Sequence, residues 1–284
     1  NTNYDLYGTR QHFVGNPIFF GSYLALCFPF SLWIVLQQVT RKRLILFGIL
    51  SGCILMALLL THSRGAWLAA GVSVMVMVGH VLKQRWKGFR SDLRWAIVFV
   101  FLMAVPVVIG LFAHAGLLRV FEGQLIDMEN RLALLSMLKQ VEQFRLAQYG
   151  TTLEILREHP LLGIGFGNFT RVFQVYKDPA TPSSSYEIST TTENMYLMFS
   201  AETGLIGLAI ALLAFGAIFW HIYKNYRTAS GCGHQSLALT ALASFSGFLV
   251  NLATWDALNE PVVRMTFWIL IGLGLAAGRL REHL

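Results

Sequence analysis

Arg64 is the residue whose type and surroundings most directly suggest chemistry. It lies in LLLTHSRGAWLAA, residues 58–70, between two stretches that are otherwise apolar. A guanidinium has five N–H donors in a planar fork, so it can bind two phosphate oxygens at once. Arginines at a membrane edge also anchor helix ends to lipid phosphate. The residue type leaves both interpretations open.

Glu202, in the apolar stretch SAETGLIG, is a second unusual charge. A carboxylate within a membrane span is either paired or functional, and an ion pair with Arg64 is the simpler interpretation. The sequence has no DxD, HExxH or P-loop motif, and the glycines of GIGFG do not have the GxGxxG spacing of a dinucleotide site. We therefore expect no metal and no cofactor.

The composition shows which solvent surrounds these charges. Of the 284 residues, 55% are hydrophobic and only 13% are charged, whereas soluble domains have about one quarter charged residues. Several windows reach the length of about 20 apolar residues that a membrane helix needs. The sequence predicts an all-α, polytopic helical bundle with seven spans, at about 17–39, 44–61, 66–82, 95–117, 194–222, 236–254 and 261–278.

The basic residues predict the orientation of these spans. If residue 1 is outside, the inside loops hold the clusters at 41–43 and 83–94, whereas the short outside segments hold only Arg10, Arg64 and Arg264. This excess accounts for the net charge of +7, and we expect no nucleic-acid partner. The predicted organisation is four spans in 1–117, an external segment at 118–193 and three spans in 194–284. An odd number of spans starting outside predicts that further helices precede residue 1.

The external segment has a pattern of its own. Apolar residues recur every three or four positions over 119–149, which predicts an amphipathic helix along the membrane surface. A short helix follows and ends at Pro160, and glycines at 163, 165 and 167 then predict a turn whose backbone approaches another segment closely. The inside loops are too short for a nucleotide-binding domain. We therefore expect any chemistry at the outer face, with a donor that either comes through the membrane or is already attached to a lipid.

Four stretches, in this order, resemble the O-antigen ligase and polysaccharide polymerase superfamily. They are RQHFVGNPIFFGSYLALCFPF, THSRGAWLAA, the run from Arg145 through YGTTLEILREHPLLGIGFGNF, and ENMYLMFSAETGLIGL. The resemblance covers about residues 10–220. It implies a bacterial enzyme that moves a glycan from a polyprenyl diphosphate to an acceptor hydroxyl at the outer side of the inner membrane.

The resemblance implies roles for two arginines. Arg64 matches the arginine of the family's Ser-Arg-Gly motif, and Arg145 matches the arginine fifteen residues before the motif that starts at Pro160. Both would contact the lipid-linked diphosphate, where fixed cations stabilise the charge that develops on the leaving group. The alternative for Arg145 is a solvated helix face.

The sequence departs from the family at Glu193. Ligases of the family typically carry histidine before the asparagine at this point, as the base that deprotonates the acceptor, and this chain has Glu193 followed by Asn194. A glutamate in an apolar mouth can have a raised pKa and act as a base. Alternatively, Glu193 only complements the dipole of the helix that follows. The acidic residue favours the polymerase branches.

Further residues are predicted to bind substrate or support the site. Predicted substrate contacts are Asn194, Tyr196, Arg157, His159, His62 and Glu202, and the histidines His62, His159 and His12 are candidates for the missing imidazole. Asp256, Glu260 and Arg264 are predicted to form a local salt-bridge group.

The function predicted from the sequence is a metal-independent, inverting glycosyltransferase that has Arg64, Arg145 and Glu193 as catalytic residues. Its partners would be a lipid-linked glycan donor, an acceptor glycan, lipid or protein hydroxyl, and membrane lipid. Its location would be the bacterial inner membrane, with the site facing the periplasm. The alternatives are a polymerase of the same superfamily and a non-enzymatic glycan or lipid transporter. A transporter would be expected to have charged residues in several spans and related halves, which this sequence lacks.

Overall fold

The computed structural model describes residues 17–36, 40–85, 145–176, 192–229 and 232–278. Within these ranges the regular structure is helical throughout, without β-strands. The span predicted at 95–117, most of the amphipathic helix predicted at 119–149, and His12 lie outside the described residues.

Eight α-helices and one short 3₁₀ turn make up the described chain. We label them α1 Pro17–Leu36, α2 Arg41–Leu60, α3 Arg64–Arg85, α4 residues 145–158, α5 Phe169–Tyr176, α6 Met195–Thr228, α7 Cys232–Leu252 and α8 Pro261–Ala276, with the 3₁₀ turn Ala257–Asn259 before α8.

The helices confirm an all-α polytopic membrane protein. Among the residues that the structure describes, four stretches are long and apolar enough to cross a membrane: Pro17–Val35, Arg41–Leu60, Met195–Thr228 and Gln235–Leu252. Helix α3 covers the span predicted at 66–82, and α8 covers the span predicted at 261–278 except its last two residues. The sequence pattern also predicts a helix ending near Tyr149 and a second one after it. That division is wrong, because α4 runs without interruption through Gly150, which lies on its exposed side.

The chain divides into two compact units. Unit 1 comprises 1–115, 217–251 and 257–284, and unit 2 comprises 116–216 and 252–256. In unit 1, small and hydroxyl residues let the helices pack closely: a Cβ on Gly247 would lie 2.2 Å from the Ala69 carbonyl oxygen. The Ser73 hydroxyl donates to the Ala243 carbonyl at 2.9 Å, and Asn251 donates to Ser22 at 2.7 Å. Such contacts hold helices together where apolar burial cannot, because the surrounding lipid is equally apolar.

Unit 2 has its own apolar core. Ile155 of α4, two phenylalanines of α5 and two residues of α6 are each at most 6% exposed and contact one another; the five are Ile155, Phe169, Phe173, Met198 and Ala201. These contacts position α4 and α5 against the first part of α6. Arg145 is the first described residue of α4, and Glu193 lies two residues before α6.

A break in α6 explains how the turn after α4 that contains Gly163, Gly165 and Gly167, here called the glycine turn, packs against α6. Gly204 has φ 68° and ψ −175°, a conformation that is essentially restricted to glycine, so the helical hydrogen bonds are interrupted there. The turn replaces them: Ile164 and Gly165 donate to the carbonyls of Ala201 and Glu202 at 3.0 and 2.9 Å. In the opposite direction, Leu205 donates to the Pro160 carbonyl at 2.8 Å.

The glycine spacing therefore correctly predicts a turn whose backbone closely approaches another segment. Gly163, Gly165 and Gly167 all have positive φ. A Cβ on Gly163 would lie 2.4 Å from the backbone carbon of Glu202, so only glycine permits this approach. Gly167 has no atom within 4 Å of such a Cβ, so its glycine serves the turn conformation alone.

Candidate active site

The structure brings together two of the residues predicted to be catalytic. The Arg145 Nε atom, at the first described residue of α4, forms an ion pair with the Glu193 Oε2 atom. Their side chains are 32% and 18% exposed, respectively. The pair is thus partly withdrawn from water and can still be reached from outside.

The backbone around Glu193 is held in an unusual conformation. Glu193 has φ 50°, in the left-handed region that residues other than glycine seldom adopt. Asn194 caps the helix that follows, since its Oδ1 atom accepts the N–H groups of Tyr196 and Leu197 at 3.1 and 3.2 Å. The Thr192 hydroxyl donates to the Asn194 carbonyl at 2.8 Å. This cap fixes where α6 begins, and therefore where the Glu193 carboxylate emerges.

Burial raises the pKa of the Glu193 carboxyl above the usual value for glutamate. The Arg145 guanidinium opposes this effect by favouring the charged form, and the negative charge of Asp256 reinforces it. A carboxylate with a raised pKa holds a proton more readily than an ordinary glutamate. This pKa shift is the one that a general base at this position would need.

Asp256 is a further residue of the site that the sequence patterns did not indicate. It is 2% exposed, belongs to unit 2 with Glu193, and acts electrostatically on the Glu193 carboxyl. Its neighbour in the predicted salt-bridge group, Arg264, donates to the Leu258 carbonyl at 3.2 Å. Asp256 lies over sixty positions from Glu193 in the chain, so local spacing gave no signal. A carboxylate next to a tryptophan in a short turn between two apolar helices is the only hint.

Arg64 is the first residue of α3 and is exposed. The turn that precedes α3 is fixed by hydrogen bonds. The Thr61 hydroxyl donates to the Leu58 carbonyl at 2.6 Å, and the Trp67 indole N–H donates to the same carbonyl at 3.0 Å. The first turn of α3 contains no acidic residue. Because a helix N-terminus is already partly positive, an arginine there opposes the helix dipole. The guanidinium and the helix N-terminus thus both carry positive charge at this point.

Glu202 has a structural partner. It is 4% exposed, and its Oε1 atom accepts the N–H of Phe169, the first residue of α5, at 3.2 Å. A carboxylate at a helix N-terminus satisfies an N–H group without an intrahelical partner and complements the dipole. This contact explains how a carboxylate can be buried in α6 even if it takes no part in catalysis.

The other predicted substrate contacts are dispersed. Arg157 and His159 are exposed near the far end of α4, about 18 Å along the helix from Arg145. His62 is exposed in the turn before α3, where it has φ 52°, and Tyr196 is half-buried in the first turn of α6. Among the residues that the structure describes, no group of three or more His, Cys, Asp or Glu side chains could hold a metal ion.

Comparisons with known proteins match the chain to one family. A family model described as O-antigen ligase matches residues 49–212, more than half of the 284 residues. The O-antigen ligase of Salmonella typhimurium is 26% identical over 252 residues, which cover 87% of this chain and 57% of that protein. The chain thus spans little more than half the length of this relative. The matched residues include Arg64, Arg145 and Glu193, and the chain belongs to the O-antigen ligase family.

Proposed function

We propose that this protein transfers a glycan from a polyprenyl diphosphate carrier to an acceptor hydroxyl at the outer face of the inner membrane. The observation that carries the proposal is the Arg145–Glu193 pair, in which a carboxylate with a raised pKa lies against a guanidinium. The family and the membrane helices support the same conclusion.

The pair supplies the two functions that such a transfer requires. The Glu193 carboxylate takes the proton of the acceptor hydroxyl, and the acceptor oxygen forms a bond to the anomeric carbon. The bond from that carbon to the diphosphate oxygen breaks, its electrons leave with the polyprenyl diphosphate, and the configuration inverts. The Arg145 Nε atom is paired with Glu193, and the guanidinium has four further N–H groups on its terminal nitrogens that can bind phosphate oxygens. Arg145 would thereby link the base to the leaving group.

Arg64 is proposed as a second cation on the diphosphate. Arg64 is the first residue of α3, and a guanidinium and a helix N-terminus both attract anions. Neutralising the developing charge on the leaving group lowers the barrier in a partly dry site.

The test is transfer by the purified protein in vesicles, measured as release of polyprenyl diphosphate from a lipid-linked glycan. Arg145→Ala is expected to lose transfer by at least a hundredfold. Arg145→Lys is expected to recover only part, since an ammonium cannot contact Glu193 and two phosphate oxygens in a fixed fork. Arg171→Ala is the matched control, an exposed arginine of α5 in the same unit. Transfer by Arg145→Ala at the rate of Arg171→Ala would contradict the proposal.

Chain lengthening is the second candidate, favoured by glutamate in place of histidine at position 193. Incubation with the donor alone separates the two candidates. Polymer growth without an added acceptor indicates a polymerase, whereas product only after addition of a lipid or protein acceptor indicates a ligase. Glycan that crosses the bilayer without release of polyprenyl diphosphate would indicate a transporter instead.

A further inference from the structure

The apolar stretch of helix α6 marks one boundary of the membrane. After the break at Gly204 the helix continues to Thr228, whereas the hydrocarbon layer is about 30 Å thick. Between Gly204 and Lys224 lie 19 residues without Asp, Glu, Lys or Arg, which span about 28 Å. This stretch fits the hydrocarbon, so Glu202 lies at its edge. Residues 195–201 extend beyond that edge.

The glycine turn is attached to α6 at this depth. Its backbone pairs with residues 201–206 through the four hydrogen bonds from Ile164, Gly165, Leu205 and Ile206. The last of these joins the Ile206 N–H to the Leu161 carbonyl at 3.4 Å. The turn therefore lies at the edge of the hydrocarbon, next to the first residues of the membrane-spanning stretch.

The side chains of the turn are apolar and exposed. Leu161, Leu162 and Phe166 are 61%, 74% and 76% exposed. In water such a cluster would be costly, since three large apolar side chains would remain hydrated side by side in one short turn. Leu205 and Ile206, beside the turn, and Ile210 and Leu213 farther along α6 are exposed as well. These belong to the surface that a membrane helix presents to lipid, and the turn continues that surface.

We propose that the glycine turn is a membrane-insertion element, in which Leu161, Leu162 and Phe166 enter the lipid leaflet near Glu202, at the start of the apolar stretch of α6. Its depth at the hydrocarbon edge and its continuity with the lipid-facing surface of α6 identify lipid as the occupant. The positive φ angles at Gly163, Gly165 and Gly167 let the backbone pair with α6 while the apolar side chains remain outside. The inserted turn would hold unit 2 on the membrane surface. This inference does not depend on the proposed reaction.

The experiment measures how deeply single side chains lie in a bilayer. Spin labels are placed at Leu162→Cys and, in a separate variant, at Phe166→Cys, with Cys27, Cys53 and Cys232 replaced by serine in both. The full chain is reconstituted in phosphatidylethanolamine and phosphatidylglycerol vesicles that contain no polyprenyl lipid. Power saturation compares collisions with oxygen, which concentrates in hydrocarbon, and with a water-soluble nickel chelate. Labels at Ile210→Cys of α6 and at Glu154→Cys of α4, both exposed, are the lipid and water references.

The expected result is an oxygen-to-nickel ratio at 162 and 166 that is several-fold above the ratio at 154 and approaches the ratio at 210. Ratios equal to that at 154 would place the turn in water and overturn the proposal. Low access to both reagents would mean that protein covers the turn, and would also overturn it. A high ratio that appears only after polyprenyl diphosphate is added would assign the surface to that lipid's chain and reject insertion into the leaflet. The two labelled sites are independent, so a folding defect in one variant leaves the other to decide.

Discussion

Glu193 lies against a cation, yet its pKa is raised, because burial and Asp256 together outweigh Arg145. Replacement with glutamine keeps the shape and removes the proton acceptor. Glu193→Gln is expected to reduce kcat for transfer by about 10²–10⁴-fold, the usual contribution of a general base. Glu193→His, which restores the residue typical of the resembling ligases, is expected to recover much of that loss. Equal activity of Glu193→Gln and the unmodified protein would remove Glu193 from the reaction.

The pH dependence of transfer follows from the same carboxyl. Glu193 accepts a proton only when it is ionised, so the rate falls as the pH drops through its pKa. Because that pKa is raised, the fall begins at a higher pH than for an ordinary glutamate. Asp256→Asn removes a negative charge that raises the pKa, so the acid limb of kcat/KM against pH is expected to move to lower pH. Glu260→Gln, at the N-cap of α8, is the control that leaves the limb in place. A limb that is unmoved in Asp256→Asn would exclude this coupling.

At the scale of the helices and turns, sequence patterns correctly predicted the features that depend on residues close together in the chain. The end of α4 before Pro160 and the turn at Gly163 follow from the restricted backbones of proline and glycine. The break at Gly204 was not predicted, because the groups that replace its helical hydrogen bonds lie about forty residues earlier in the chain. Asp256 was missed for the same reason. Contacts between segments distant in sequence leave no periodicity that a single sequence can show.

The junction between the glycine turn and α6 predicts a graded series of alanine substitutions. Gly204→Ala combines a backbone that is essentially restricted to glycine with a Cβ only 2.1 Å from the Leu161 carbonyl oxygen, so a large fall in Tm is expected. Gly167→Ala strains the backbone, which has a positive φ there, but its Cβ meets no other atom. It should lower the free energy of unfolding by about 1–3 kcal/mol. Gly216→Ala, in the same helix with no atom within 4 Å, should be neutral or stabilising by about 1 kcal/mol. Thermal unfolding in detergent measures the series, and equal effects at 204 and 216 would contradict the junction.

Glu202 offers a separate test of whether a predicted substrate contact is structural. Glu202→Gln keeps an oxygen that can accept the Phe169 N–H, whereas Glu202→Ala removes it and should cost about 1–2 kcal/mol. If the role is structural, Glu202→Gln retains both stability and the KM for the donor. A stable Glu202→Gln variant with a donor KM raised tenfold would instead show that the carboxylate charge serves the substrate.

At the scale of the whole molecule, the proposed reaction assigns Arg64 and Arg145 to the same lipid-linked diphosphate. Two guanidiniums that bind one diphosphate are energetically coupled, since each affects how the other meets the shared group. Arg64→Ala, Arg145→Ala and the double variant should therefore give a coupling energy of about 0.5–3 kcal/mol in kcat/KM for the donor. Arg171→Ala combined with Arg145→Ala is the reference and should be additive. Additivity of Arg64→Ala and Arg145→Ala within about 0.5 kcal/mol would mean that the two arginines do not share one diphosphate.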